Sequence, residues 1–516
     1  MKGDFSRRTF KKDKHYSGVL MQQGRVQLDA DWNEQQAIGS HRVETGTEDT
    51  IGRCGVPRYC TGSEPGTGFE ISVKQSADGS TAKLMIGNGR FYVDGIMCEN
   101  EKEVAYDEQE NLLVRPDIEK MLGEEGIKSA LVYIDVWQRH VTALDDDSIR
   151  EKALGGPDTT TRIKTVWQVK VLPLSLEAGP GVVSQIREYM QKQKVLPMPE
   201  WKSLTIPIDD VHRGRMKART TKATTAATPC QLPPEAGYRG LENHLYRVEV
   251  HKGGTRDTAR FKWSRDNGMV AAAIKDADGT VISLSDTGRD MNSSFQNGQC
   301  VEILDDRHEL HPELEPNRLR QIMAMDDAGN TITLDEEQGQ LDQACNPKAR
   351  RWDQKNSKDN HEGIPMKAGW IKLENNIEVQ FSKGEYRTGD YWLFPARVST
   401  GDIEWPVIEV NGGFKPLDQP PAGIRHHYCP LAVLNIEEGK LTVKGDCRLV
   451  IPPLSHLTAE DVRFDGTKCG AGLKSVNTVQ EAIEYLCARN RNSCTFVAVP
   501  GKDWGKIFDE IGDRKN

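Results

Sequence analysis

Alternation of apolar and polar residues at period two constrains this chain more than any other feature. In "ALVYIDVWQRHVTAL", Val132, Ile134 and Val136 alternate with Tyr133, Asp135 and Trp137, and in "KTVWQVKVLPL", Trp167, Val169 and Val171 fall on one face. Side chains two apart share a face of a pleated strand, so both stretches read as strands, the first half-buried. Turn signals separate such runs. Asn88-Gly89 lies between apolar runs in "KLMIGNGRFYVDGIMCEN", and Asn267-Gly268, Asp278-Gly279 and Gly329-Asn330 recur at close intervals. These pairs tolerate the positive φ of tight hairpins, which predicts a small antiparallel barrel or sandwich over about residues 240–340. The 47 glycines agree with many tight turns. At 516 residues the chain exceeds one ordinary core, so a mainly β, multidomain protein of sandwich or barrel modules is expected.

The first residues depart from this texture. Ser6-Arg7-Arg8-Thr9-Phe10 begins like a twin-arginine export signal, but Lys11, Lys12, Asp13, Lys14 and His15 follow where an apolar run is required. No stretch approaches the length of a spanning helix, so a soluble chain made in the cytoplasm without a signal peptide is expected. The first 25 residues hold seven Lys or Arg against two Asp, whereas the whole chain carries −9. A basic arm on an acidic body is either solvated or docked on an acidic neighbour, and the overall charge argues against nucleic acid. Behind the arm, "VQLDADWNEQQAIGSHRVE" reads as a short helix, with Asp29 or Asp31 capping its first turn ahead of Trp32 and Ile38.

Composition shifts divide the rest: 1–50 as basic arm and helix, 51–230 and 346–455 as β-rich domains, 231–345 as the small antiparallel domain and 456–516 as a tail. A helix is expected at Val183–Lys194, a long loop or linker in "KARTTKATTAATPCQLPPEAG", and an exposed polar insertion over residues 346–365. In the tail, Thr478 and Glu481 form a capping box ahead of an apolar stripe, and Thr495–Val499 reads as a strand. A helix followed by a strand and a Pro-Gly turn resembles the cap of a right-handed parallel β-helix, whose rungs would continue past Asn516 unless the cap serves another purpose. Eleven cysteines without a C-x-x-C pair read as reduced, mostly buried thiols, with Cys54 and Cys60, or Cys487 and Cys494, able to bridge if oxidised.

Chemical motifs are weak. His308 and His311 in "DDRHELHPE" are three apart and precede Pro312, whereas a zinc hydrolase helix needs four, so a solvated loop is expected. His426 and His427 would point to opposite faces of a strand, leaving one to share with Cys429. "KDADGTVISL" and "ALDDDS" lack the spacing of a calcium loop, and "LGGPDTTT" lacks a phosphate-loop lysine. Asp390, Trp392, Glu404 and Trp405 set carboxylates beside aromatics, as sugar sites do. No catalytic residue, metal ligand or cofactor is assigned.

Four blocks carry a resemblance: "MKGDFSRRTF…HYSGVLMQQGRVQLDADWNEQ", "IDVWQRHVTALDDDSIREKALGGPDTTTRIKTVWQVKVL", "GYRGLENHLYRVEVHKGG…ARFKWSRDNG" and "RTGDYWLFPARVSTGDIEWP…GIRHHYCPLAVL". Together they resemble, over nearly all of residues 1–455, a bacterial domain family of unknown function found in large multidomain proteins. "QQGRVQLDADWNEQQ" also resembles the opening of tail-fibre and baseplate-periphery proteins of contractile phages. The resemblance implies a structural, non-enzymatic part of a phage-tail-like contractile injection particle. Its partners would be other protein subunits, self-association being allowed, with neither nucleic acid nor membrane insertion. Arg7, Arg8, Lys11, Lys12, Arg25, Asp31 and Trp32 are the expected interface, since arms add salt-sensitive contact area. The alternative is a carbohydrate-binding or carbohydrate-cleaving surface protein with a downstream β-helix, using Asp390, Trp392, Glu404 and Trp405.

Overall fold

The computed structural model describes residues 1–59, 67–75, 82–115, 118, 120, 127–174, 183–184, 186, 213–221, 237–288, 294–326, 328, 330–354, 361–410, 412–437, 440–469, 473 and 476–490. Two compact units emerge, one of Met1–Val56 with Cys60–Leu449, the other of Pro57–Tyr59 with Val450–Asn516. The fold is mainly β, with many sheets and few helices, as the alternation requires. Among the described residues no helix is long and apolar enough to cross a membrane.

In the larger unit, strands Ser129–Val141 and Arg162–Leu174 pair antiparallel along their whole length, from Ser129 opposite Leu174 to Val141 opposite Arg162. His426–Glu437 pairs on the other side of Ser129–Val141, and Lys440–Asp446 lies beyond it. Val132, Ile134 and Val136 are fully buried in a core shared with Phe69, Phe91 and Leu434. The expectation of a half-buried strand fails on the second face, where Asp135 and Trp137 are buried as well. That face is covered by protein rather than water.

Asn88-Gly89 is not a hairpin, contrary to the sequence reading. Ala82–Ile86 pairs with Ile71–Gln75 and Val104–Ala105, whereas Gly89–Val93 pairs with Cys54–Pro57 and Ile96–Asn100. The hairpin is one turn later. Asp94 and Gly95 both have positive φ, 46° and 81°, and join Val93 to Ile96 in register, as a two-residue turn demands. A Cβ on Gly95 would stand 2.1 Å from the Glu44 carbonyl oxygen of the first helix. Gly95→Ala should therefore lose roughly 2 kcal/mol or more, from backbone strain and the clash together. A lowered urea midpoint would report this, and an unchanged midpoint would deny the close approach.

A second sheet runs in the order Ile364–Pro365, Arg260–Ser264, His244–Lys252, Tyr391–Arg397, Asp402–Ile403. Tyr246, Val248, Val250, Phe261, Trp263 and Phe394 form a core from one face of this sheet. Met216–Thr220, which overlaps the start of the expected loop, is a strand paired with Ile377–Phe381, because Met216 and Ala218 alternate into that core. Residues 222–236 of that loop lie outside the described residues, as does the Val183–Lys194 helix except for residues 183, 184 and 186.

The barrel is present and closed: Ala271–Asp278, Val281–Leu284, Thr331–Leu334, Arg320–Asp326, Cys300–Leu304 and Lys348–Trp352. Closure leaves no free edge, and Ile274, Ile282, Leu284, Val301, Ile303, Ile322 and Ile332 fill its interior. Asp278-Gly279 and Asn330 turn its hairpins as expected. Asn267 and Gly268, both at positive φ, instead carry the chain from the second sheet into the barrel. The expected exposed insertion over 346–365 is corrected too. Lys348–Trp352 is a wholly buried strand that closes the barrel, with Lys348 paired to Asp145 and Arg351 to Asp353 inside the protein, and Arg350 bonded to the Gly268 carbonyl. The "DDRHELHPE" stretch is not a solvated loop either: Asp306–Leu310 is a short helix capped by Asp305, and His311 is buried.

The first helix, Asp29–Ile51, is longer than expected at 23 residues. Asp31 Oδ2 accepts from the Leu28 amide at 3.4 Å at its start. Of the eleven cysteines, the eight described are free thiols, and burial raises those of Cys98, Cys300 and Cys429. Cys60 and Cys494, and hence both suggested bridges, fall outside the described residues. In the smaller unit the capping box forms as expected. The Glu481 amide donates to Thr478 Oγ1 at 3.1 Å and the Thr478 amide to Glu481 Oε2 at 3.2 Å, opening the helix Val479–Asn490. The Thr495–Val499 strand and everything after it lie outside the described residues.

Candidate functional site

The basic leader does not behave as one arm. Its first residues fold into their own body: Arg247 Nη1 donates to the Met1 carbonyl at 2.9 Å, and Asn267 Nδ2 to the Gly3 carbonyl at 2.9 Å. Lys2 Nζ lies 3.1 Å from Glu249 Oε1, and the Phe5 ring meets His140 edge-on at 5.7 Å. Thr9 Oγ1 donates to Glu34 Oε2 at 2.6 Å. Glu249 thus takes the charge of Lys2, the first cation of the basic leader.

From Lys11 to Asp29 the picture reverses. Every residue there is exposed except Val19, whose amide donates to Gln35 Oε1 at 2.7 Å. Leu20 is 92% exposed and Val26 82%, with Tyr16, Met21, Leu28 and Trp32 exposed beside them. Monomers rarely leave such a run of apolar side chains in water. Of the expected interface residues, Arg8, Lys11, Lys12 and Arg25 are exposed, Arg7 is half-buried, and none of the five pairs with a described carboxylate. Asp31 is committed to the helix start. The segment therefore offers both free cations and bare apolar surface, held in place at each end.

The residues of the sugar alternative do not come together as a sugar site. Trp392 is buried, packs on Phe381 at 6.0 Å and donates its indole N–H to the Gln419 carbonyl at 2.9 Å. Trp405 packs edge-on to Phe394 and donates to the Leu417 carbonyl at 2.9 Å. Glu404 accepts from Arg397 Nε at 2.7 Å. Asp390 faces elsewhere, hydrogen-bonded to Arg213, and burial pushes its carboxyl up to about 6 against the pull of that guanidinium. Burial of Trp392 leaves none of its faces for a pyranose ring.

A polar cavity of about 490 Å³ is what sequence reading missed. It is lined from three sources whose opposite faces are apolar cores. Asp135, Trp137 and Arg139 come from the second face of Ser129–Val141; Arg247, Glu249 and His251 alternate with the core residues of His244–Lys252; Glu302 and Arg350 project outward from the barrel. Register sets charges against one another, Glu249 opposite Lys262 and Glu302 opposite Arg350. Glu249 meets Arg247 at 2.6 Å, Lys2 at 3.1 Å and Lys262 at 3.4 Å. Burial raises its carboxyl, but the three cations outweigh that and hold it well below the usual range. Trp352 Nε1 donates to Glu302 Oε2 at 2.8 Å, and Lys262 donates to its other oxygen. Farther along, His426 Nδ1 lies 2.7 Å from Asp135 Oδ1 and its ring stacks on Trp137 at 4.7 Å. His427 points the other way, 2.9 Å from Asp94, as adjacent strand positions must.

Asp145, Asp306 and Glu309 cluster as a divalent ion would require. Protein cations already occupy their centre. Arg139 Nη2 reaches all three carboxylates, at 3.3 Å for Asp145 and 2.8 Å for Glu309, and Lys348 Nζ lies 3.2 Å from Glu309 and contacts Asp145. The cluster is a buried ion-pair network rather than a metal site.

A family model described as "Family of unknown function (DUF6519)" matches residues 1–184 and 211–493. No curated protein matches the chain, and no solved structure does. The family description carries no activity, ligand or partner, so function has to be argued from the surfaces themselves.

Proposed function

We propose that this chain, which belongs to the Family of unknown function (DUF6519), is a structural subunit that joins a larger protein particle through residues 11–32. The observation that carries the reading is the exposed apolar run Tyr16, Leu20, Met21, Val26, Leu28 and Trp32, interspersed with the unpaired cations Lys11, Lys12 and Arg25. Burying such side chains on a partner contributes about 25 cal/mol per Å² of apolar area, so a handful of them suffices to anchor a subunit. The cations suit an acidic rim around an apolar groove, and they make the contact weaken as salt rises. Tethering at both ends limits the entropy lost when the segment docks.

The particle we propose is a phage-tail-like contractile injection system, with this subunit at the baseplate periphery or as a fibre or spike adaptor, and without catalytic duty. The opening "QQGRVQLDADWNEQQ" and its likeness to tail-fibre openings support that choice. The test is co-sedimentation from the native host. The wild-type chain should travel with fast-sedimenting particles that contain sheath and tube subunits. A Leu20→Asp, Val26→Asp double variant should stay in the slow fraction with its fold intact by circular dichroism. Equal sedimentation of both chains, or a wild-type chain that never enters such particles, would sink the proposal.

A further inference from the structure

The polar cavity contains two arginines that form no ion pair with a described carboxylate. Almost every other cation lining it is tied to a carboxylate: Lys2, Arg247 and Lys262 to Glu249, Arg139 to Glu309, Lys170 to Asp135, Arg213 to Asp390. Arg350 is different. It is 4% exposed, donates through Nη1 to the Gly268 carbonyl, leaves Nε without a partner and meets no carboxylate among the described residues. Glu302, opposite it in register, is already engaged by Lys262 and Trp352. Arg387 also lines the cavity, and its half-buried guanidinium makes no ion pair or hydrogen bond with a described residue.

A buried guanidinium without a contact ion pair is costly, and a bound anion relieves that cost. Guanidinium forks match the planar or tetrahedral oxygens of carboxylates and phosphates. The volume is within the range of small-molecule sites, and Trp137, Tyr391 and Tyr428 add flat apolar walls. Asp390 and Glu313, also on the lining, can accept from hydroxyl groups of a bound molecule. We infer that this cavity binds a small hydroxylated organic oxyanion, a carboxylate or phosphate ester, with Arg350 and Arg387 as its anion-holding residues. The inference is independent of the particle reading, because neither arginine belongs to the exposed segment.

Isothermal titration calorimetry on the full chain tests it, with citrate and inorganic phosphate as probes and glycerol as the uncharged control. At least one anion should bind saturably with a Kd of about 1 mM or tighter, and glycerol should not. Arg387→Gln removes a half-buried guanidinium that makes no ion pair or hydrogen bond with a described residue, so it should fold normally and weaken binding about tenfold. Arg350→Gln should weaken binding at least as much, and Arg162→Gln, on an exposed strand end, should leave it unchanged. A weakened titration in either cavity variant supports the assignment. No saturable binding of either anion, or binding in both cavity variants with the affinity of the wild-type chain, overturns it.

Discussion

Glu249→Gln is expected to destabilise the chain by about 3 kcal/mol or more, because it removes the negative charge shared by the buried Arg247 and Lys262 and the half-buried Lys2. Lys2, Arg247 and Lys262 all lie within 3.4 Å of that carboxylate. The side chains of Arg247 and Glu249 are each 3% exposed, so water cannot take over the lost interaction. Glutamine keeps the shape and one acceptor, which isolates the charge from the packing. The effect should appear as a large fall in the urea midpoint with little change in the slope. The exposed pair Lys74–Glu103 provides the contrast. Glu103→Gln should shift the midpoint by less than about 1 kcal/mol, since solvent screens such pairs. Similar effects at the two positions would mean that the cavity wall is wet and the buried network contributes little.

Acid should destabilise the chain well before its carboxylates titrate. Burial, then the neighbouring Lys262, hold His251 down to about 4, with Glu302 and Glu249 opposing. Burial, then the Met1 amine and Arg350, take His140 to about 3. Both imidazoles are therefore neutral in the folded chain across the range where an unfolded histidine, near 6.5, takes up a proton. Their stabilising effect is fully present above about pH 6.5 and is lost as the pH falls toward 4. Each histidine should raise the unfolding constant about tenfold per pH unit in that window. Below about pH 4.5 the depressed carboxyls of Glu249, Glu302 and Glu309 should add to the loss. Urea titrations between pH 7 and 5 measure the slope, and His251→Gln should flatten it. A flat profile down to pH 5 would contradict the buried neutral imidazole.

The same residues explain how far sequence reading reaches. Period-two alternation in "HLYRVEVHK" sets Tyr246, Val248 and Val250 on one face, which is the core face. It cannot say what covers the other face, because Arg247, Glu249 and His251 would look identical on a solvated sheet. The available signal was cross-strand: Glu249 opposite Lys262 and Glu302 opposite Arg350. That signal needs the register, and register is fixed by partners far apart in sequence. Burial of Lys348–Trp352 is hidden for the same reason, since a run of Lys and Arg usually means water. Asn88-Gly89 failed differently. The dipeptide does mark a turn, but its flanking runs belong to separate sheets, and the hairpin formed at Asp94-Gly95 where the register closes. Local motifs fared best. The Thr478–Glu481 capping box and the Asp278-Gly279 hairpin depend only on neighbours and appear where the sequence puts them.

The leader shows both outcomes in one segment. Its positive charge is legible in the sequence, but its division is not: Lys2 is paired internally with Glu249, whereas Lys11, Lys12 and Arg25 stay unpaired beside the bare side chains of Leu20 and Val26. Hydrogen–deuterium exchange compares this stretch most directly in the free chain and in the purified particle. If the account is right, amides of residues 11–28 exchange fast in the free chain and become protected on assembly, while those of Ser129–Val141 stay protected throughout. Unchanged, fast exchange of residues 11–28 in the particle would contradict it.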